Sequence, residues 1–263
     1  MSINLGSTAI SDVKLGSNQV DKVYLGSELV WGGVAPLTVK ALKFTSTGAQ
    51  TLGINQSTIG TVTPVFEYST NGQTWTSWDI TTTLSFGSGT DLYIRGSNTR
   101  LALSGTNYTN FVFSTNSPVY CYGSVMHLYD YTQDLATFPY NSDSRGLKYL
   151  FANCTALVRP PSLPATGLIA YAYYYMFTNC TSLEFLPKLY NTDFPSGCMD
   201  YMYDGCTLIK MSETQDSEYT NEYSVYTEGG AANGMFNNTG GTFATSVIGR
   251  PTATLYTSNT IID

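Results

Sequence analysis

A chain of 263 residues carries a single histidine, His127. Any Ser-His-Asp triad would have to be built on it, and zinc sites made of several imidazoles are excluded. Its neighbours in Val125-Met126-His127-Leu128 are apolar, so the residue is expected to be partly buried and structural. Five cysteines follow: Cys121, Cys154, Cys180, Cys198 and Cys206. An odd count argues against a complete disulfide framework, and no C-x-x-C spacing marks a redox or metal site. Glu213, Asp216, Glu218, Glu222 and Glu228 crowd one stretch without a cation. A calcium site is one reading of them, but the spacing misses the EF-hand pattern, and a solvated loop is favoured. Glycoside hydrolysis needs two carboxylates about 5–9.5 Å apart. No pair among the 19 Asp and Glu is framed by aromatic residues or a motif. Trp75 and Trp78 have the shape for sugar stacking, although core or hairpin packing is the simpler reading. The expectation is a protein with no catalytic residue, no metal and no cofactor.

Composition narrows the partners. Charged residues are 12% of the chain, about half the usual share of ~25%. Thr, Ser, Asn, Gly and 21 Tyr supply the polar surface instead. Net charge is −7 and no Lys/Arg cluster exists, which argues against sequence-independent nucleic-acid binding. No apolar run is long enough for a membrane span. Met1-Ser2-Ile3-Asn4-Leu5-Gly6 lacks the basic start and apolar stretch of a secretory signal. The expectation is a surface-exposed protein that leaves the cell by lysis as part of a particle.

The elements that would position such a surface fall into four stretches. Residues 3–32 read as three ten-residue units with Gly-Ser at the fourth and fifth places: Gly6-Ser7, Gly16-Ser17 and Gly26-Ser27. Apolar residues at the first, third and eighth places predict two short strands per unit around a glycine turn. Thirty residues cannot bury a useful core alone. Leu5, Leu15, Val23, Leu25, Val30 and Trp31 are therefore expected to anchor the chain on a partner. After the linker Gly32-Gly33-Val34-Ala35-Pro36, strand-like runs recur every 8–12 residues. They are Leu37–Thr45, Thr61–Tyr68, Thr74–Ile80, Thr82–Phe86, Leu92–Arg95 and Asn110–Phe113. Asn71-Gly72, between aromatic flanks, predicts a tight hairpin turn.

Beyond residue 120 the cysteines turn structural. Cys154, Cys180 and Cys206 are spaced 26 residues apart, and their flanks repeat. Tyr149-Leu150-Phe151-Ala152-Asn153-Cys154-Thr155 matches Tyr175-Met176-Phe177-Thr178-Asn179-Cys180-Thr181, and Tyr201-Met202-Tyr203-Asp204-Gly205-Cys206-Thr207 is a third copy. Pro161 and Leu163, then Pro187 and Leu189, follow the first two. This period predicts a stacked solenoid with the cysteines inward as small apolar groups. A tail made of Gly234–Phe243 followed by Thr252–Ile262 is expected to cap it.

Residues 147–208 resemble BspA-type leucine-rich repeats, whose units read Tyr-Met-Phe-x-x-Cys-Thr-Ser-Leu and then Pro-x-Leu-Pro-Ala-Thr. Leu163-Pro164-Ala165-Thr166 and Met176–Leu183 match, and the third unit drifts at its end. The region before it, with Glu67-Tyr68-Ser69-Thr70-Asn71-Gly72 and Trp75-Thr76-Ser77-Trp78, is similar to the β domain that often precedes these repeats in gut Bacteroidales proteins. The Leu-Gly-Ser repeat of residues 3–31 is similar to the N-terminal segment of virion proteins from tailed phages of those bacteria, crAss-like phages included. The fold this implies is mainly β: an anchor segment (1–33), a β-sandwich-like domain (36–120), a short leucine-rich-repeat solenoid (121–210), and an acidic loop with a β cap (211–263).

The function implied is a non-enzymatic phage virion structural protein. It would be a head (capsid) fibre anchored through residues 1–32 on a capsid or other virion protein, with a tail fibre or a bacterial cell-surface adhesin as alternatives. It would be assembled in the bacterial cytoplasm and then be extracellular. A homo-oligomer is expected, a trimer or else a dimer. Binding to a host surface or glycan would use Tyr171, Tyr173, Tyr174, Tyr190 and Tyr201, whose rings combine apolar area with a hydroxyl. No nucleic acid and no membrane insertion is expected.

Overall fold

The computed structural model describes residues 39–57, 63–139, 144–191, 194–209 and 232–239, together with short strands nearer the two ends. The chain is mainly β, and its one helical element among the described residues is the 3-10 turn Val125–Leu128. Two compact units are present, Met1–Val39 and Lys40–Asp263.

In the first unit each ten-residue repeat holds one antiparallel strand pair. These are β1 (Asn4–Leu5) with β2 (Thr8–Ala9), β3 (Lys14–Leu15) with β4 (Asn18–Gln19), and β5 (Lys22–Leu25) with β6 (Glu28–Gly32). The side chains of Leu5, Leu15, Val23, Leu25, Val30 and Trp31, and with them the expected anchor contacts, lie outside the described residues.

In the second unit the strands are β7 (Leu42–Ser46), β8 (Gln50–Ser57), β9 (Phe66–Ser69), β10 (Thr76–Ser77), β11 (Leu84–Phe86), β12 (Leu92–Gly96), β13 (Tyr108–Phe113), β14 (Val119–Tyr122) and β15 (Leu157–Arg159). One sheet runs β10-β9-β12-β7-β14-β15 and a second runs β11-β8-β13. Alternation sets the faces. Leu42 and Phe44 on β7 and Leu92 and Ile94 on β12 point inward, while Lys43 and Tyr93 point outward and Lys43 pairs with Asp91 at 2.7 Å. Phe44 meets Phe111 and Phe113 of the second sheet at ring distances of 6.0 and 5.9 Å, so the sheets close on an aromatic core.

Strand β8 is absent from the sequence reading, because its polar residues and Gly53 carry no strand pattern. Tertiary contacts hold it. Buried Gln50 donates to the carbonyls of Thr115 and Ser117 and accepts from the amides of Thr51, Ser114 and Thr115. The expected strand Thr74–Ile80 shrinks to β10, after which Trp78 turns in and its amide donates to the Phe66 carbonyl. Asn71-Gly72 sits in a wider loop than the two-residue turn expected, since Tyr68 faces Thr76. There the Asn71 side chain accepts from the amides of Gln73 and Thr74. The domain boundary expected at 120/121 falls inside β14, which pairs with β7 on one side and, in parallel, with β15 on the other. Glu222–Ser224 (β16), within the stretch expected to be a loop, pairs antiparallel with Leu255–Thr257 (β17).

Four successive rungs, centred on Phe151, Phe177, Tyr203 and Phe236, follow the sheets. Their backbone hydrogen bonds alternate. The amides of Leu150, Ala152 and Cys154 donate within the rung, three residues back, while those of Tyr149, Phe151 and Asn153 donate to Tyr174, Met176 and Thr178 in the next rung. Tyr175, Phe177 and Asn179 donate to rung 3, and Tyr201, Tyr203 and Gly205 to rung 4, in the same way. Leu163 and Leu189 form a parallel bridge on the return side. A column of rings fills the interior: Phe111–Phe151 at 5.5 Å, Phe151–Phe177 at 5.5 Å, Phe177–Tyr203 at 5.6 Å and Tyr203–Phe236 at 5.5 Å. Gly234–Thr239, expected in the tail, is thus the fourth rung. Its distance from rung 3 departs from the 26-residue period, and Thr239 replaces cysteine.

Candidate functional site

Residue by residue, the rungs sort their side chains into inner and outer columns. The thiols of Cys154, Cys180 and Cys206 each donate at 3.0 Å to a carbonyl of the preceding layer, namely Phe111, Phe151 and Phe177. Burial pushes all three thiols well above their ordinary range, so none is a nucleophile at neutral pH. Cys121 and Cys198 are buried too. Strand β13 closes the first rung from above. The Asn110 amide donates at 3.0 Å to the carbonyls of Tyr149 and Ala152, and the Phe111 amide donates to Leu150.

The outer column is a ridge of half-buried tyrosines. Tyr108, Tyr149, Tyr175 and Tyr201 follow one another with ring centroids 4.5, 5.1 and 4.6 Å apart, the last two pairs nearly parallel. Tyr174 stands edge-on against Tyr149, Tyr171, Tyr175 and Tyr201. Tyr149, Tyr175 and Tyr201 have φ of 60°, 53° and 55°, a left-handed conformation that costs a non-glycine residue about 1–2 kcal/mol. Rung 4 meets the same geometry with Gly234, φ 59°. Tyr171, also on the ridge, shares the conformation with φ 60°. Asn153 and Asn179 line a second outer column, with the Asn179 amide donating to Asn153 at 3.0 Å. Thr155, Thr181 and Thr207 form an exposed third.

Charges sit at both ends of the ridge. At rung 1 the Lys148 ammonium lies 5.3 Å from the Tyr149 ring and 5.2 Å from Tyr174, donating to the Gly105 carbonyl at 2.7 Å. Arg145 lies over Tyr171 at 5.3 Å. Burial, and then the Arg145 charge, lower the Lys148 pKa. At rung 3 Asp200 is raised by burial, against which the Asn233 amide donates to it at 2.7 Å. Burial and then the Tyr174 and Tyr108 phenols push Tyr149 up to about 12.

The sequence-selected tyrosines divide accordingly. Tyr173 is fully buried, 0% exposed, and its ring packs on Phe138 at 5.7 Å, so it is corrected from ligand contact to core. It precedes Tyr174 in a rung whose neighbouring side chains point to opposite sides. Tyr171, Tyr174 and Tyr201 lie on the ridge, and Tyr190 is exposed at 47%. Tyr108, Lys148 and Asp200 were missed. Tyr108 carries no repeat signal, and a single charge beside a repeat has none. Trp78 is buried and its indole donates to Thr82, while Trp75 is covered by the Arg95 guanidinium at 3.9 Å, itself held between Tyr131 at 3.8 Å and Glu67 at 2.7 Å. His127 is buried, its Nε2 2.9 Å from Asp134, which Lys40 also pairs. A concavity lined by Arg100, Leu103, Asn107 and Tyr108 has room for about one water. Among the described residues no group of three His, Cys, Asp or Glu could hold a metal, and no helix is long and apolar enough to cross a membrane.

Comparison of the chain with protein-family models, curated proteins and solved structures finds no match.

Proposed function

We propose that the chain is a non-enzymatic virion structural protein, a head fibre that binds a capsid or other virion protein through residues 1–32 and displays its repeats outward. In this reading the rungs are turns of a short BspA-type leucine-rich-repeat solenoid, with β13 over its first turn and residues beyond 210 holding the far end. The observation that carries the proposal is the rung geometry itself. Its first three rungs repeat outer Tyr and Thr at 26-residue spacing while all five cysteines are buried, an arrangement suited to a display surface rather than to a reaction centre. The low charge and the Leu-Gly-Ser units agree with it. The exposed outer columns, Thr155, Thr181, Thr207 and Tyr190 among them, are the surface offered to host or gut glycans.

Immunogold electron microscopy of purified phage, with antibody against residues 147–210, tests the reading. Gold around the head is the expected result. Gold at the tail replaces the head fibre with a tail fibre, and bare particles beside labelled bacterial surfaces overturn the virion assignment in favour of a cell-surface adhesin.

A further inference from the structure

The ridge is not built to stack sugars. Both faces of Tyr175 are covered, by Tyr149 and Tyr201, and Tyr149 lies between Tyr108 and Tyr175. The remaining face of Tyr201 rests on Gly234, where an added Cβ would come 2.6 Å from the ring. The stacked rings of Tyr149 and Tyr175 therefore have no free face, which a pyranose needs.

The ends of the ridge are complementary to each other. Lys148 and Arg145 mark rung 1, and Asp200 and Asp204 mark rung 3. Among the described residues no carboxylate stands within ion-pair distance of either cation, and no cation within that distance of either aspartate. Lys148 and Asp200 are both partly desolvated, and each is shifted toward its neutral form for that reason. A desolvated charge without a counter-ion is costly, and here two of opposite sign lie at opposite ends of one row of tyrosines. Turning a second copy end for end brings each to the other.

We infer that the tyrosine ridge is a self-association face on which two copies pack antiparallel. Rung 1 of each lies against rung 3 of the other, Lys148 and Arg145 meet Asp200 and Asp204 of the second copy, and the two Tyr174 rings meet near the two-fold axis. Such an interface is isologous: each residue pair occurs twice, once from either side. Its centre is tyrosine and its ends are charged, the ordinary anatomy of a protein interface. Of the two oligomers expected from sequence, this selects the dimer for the repeat region, and it leaves Tyr190 and the threonine column to meet a ligand. The inference goes beyond the virion reading, since gold labelling reports location and not self-association.

Charge reversal tests it on the full-length chain. Lys148→Glu places Glu against Asp200 at both ends of its own homodimer, and Asp200→Lys places Lys against Lys148 at both ends of its own. Mixed, the two variants form a pair with attraction at both ends. Sedimentation velocity with light scattering should find wild type dimeric, each variant's dimer weakened about a hundredfold or more, and the equimolar mixture dimeric again. Raising salt should weaken the wild-type dimer. A monomeric wild type, a wild-type assembly that neither variant disturbs, or a mixture that stays dissociated overturns the inference. Circular dichroism verifies that each variant is folded; if one is not, Arg145→Glu and Asp204→Lys make the same mixing test.

Discussion

Phe177→Ala is the sharpest probe of what holds the rungs together. Phe177 is fully buried and lies between Phe151, 5.5 Å away and tilted by 10°, and Tyr203, 5.6 Å away and tilted by 3°. Removing a buried phenylalanine costs about 3–5 kcal/mol through lost transfer energy and the cavity left behind. Each stacked pair adds about 0.5–1.5 kcal/mol beyond burial. In a repeat array each layer contacts only its neighbours, so one substitution weakens two interfaces at once. The cost should therefore lie near the upper limit, about 5 kcal/mol. That is comparable with the whole stability of a marginal domain, about 5–15 kcal/mol. Phe177→Leu separates the contributions: it keeps most of the apolar volume and loses both ring pairs, for an expected cost of about 1–3 kcal/mol. Urea unfolding followed by tyrosine fluorescence and circular dichroism reads both. A Phe177→Ala cost under about 1 kcal/mol, or equal costs for Leu and Ala, would refute the argument that stacked rings hold the rungs in register.

Two further expectations test neighbouring features. Gly205 has φ 77°, and a Cβ there would stand 2.4 Å from Asn179 Oδ1, so Gly205→Ala should cost about 1–3 kcal/mol. Thermal melting reads this, and a variant that melts with wild type contradicts the left-handed turn. The Tyr149 phenol, raised to about 12 by burial, stays protonated in the folded chain after an unfolded tyrosine, near 10, has ionised. Its contribution to stability is whole below pH about 10 and falls as pH rises toward 12. Tyr149→Phe should flatten that part of a stability-versus-pH curve, and an unchanged slope would refute the assigned environment.

Much of the repeat region was legible because its signal is local. A 26-residue period with Cys, Phe and Met at fixed offsets states which side chains face inward, since each rung can bury its apolar side only against a copy of itself. The cysteines could be read as inert packing groups for the same reason, and the lone buried histidine as structural from its apolar neighbours. The left-handed turn at the equivalent positions Asn153, Asn179 and Gly205, a conformation these residues tolerate best, emerged only from the structure.

What escaped the sequence depends on contacts between distant segments. β8 is a strand because Gln50 is caged by residues 114–117, more than sixty positions away, and no local pattern carries that information. The boundary at 120/121 disappeared because β14 takes partners from both sides, so one hydrophobic cluster runs from the sheets through the rungs. Rung 4 was hidden by its longer spacing, because Phe236 lies outside the 26-residue period even though its ring continues the column at 5.5 Å from Tyr203. The separation of Tyr173 from Tyr174 required the rung's curvature. Two adjacent tyrosines are chemically identical in sequence, and only the path of the backbone sends one into the core and leaves the other between Lys148 and Asp200.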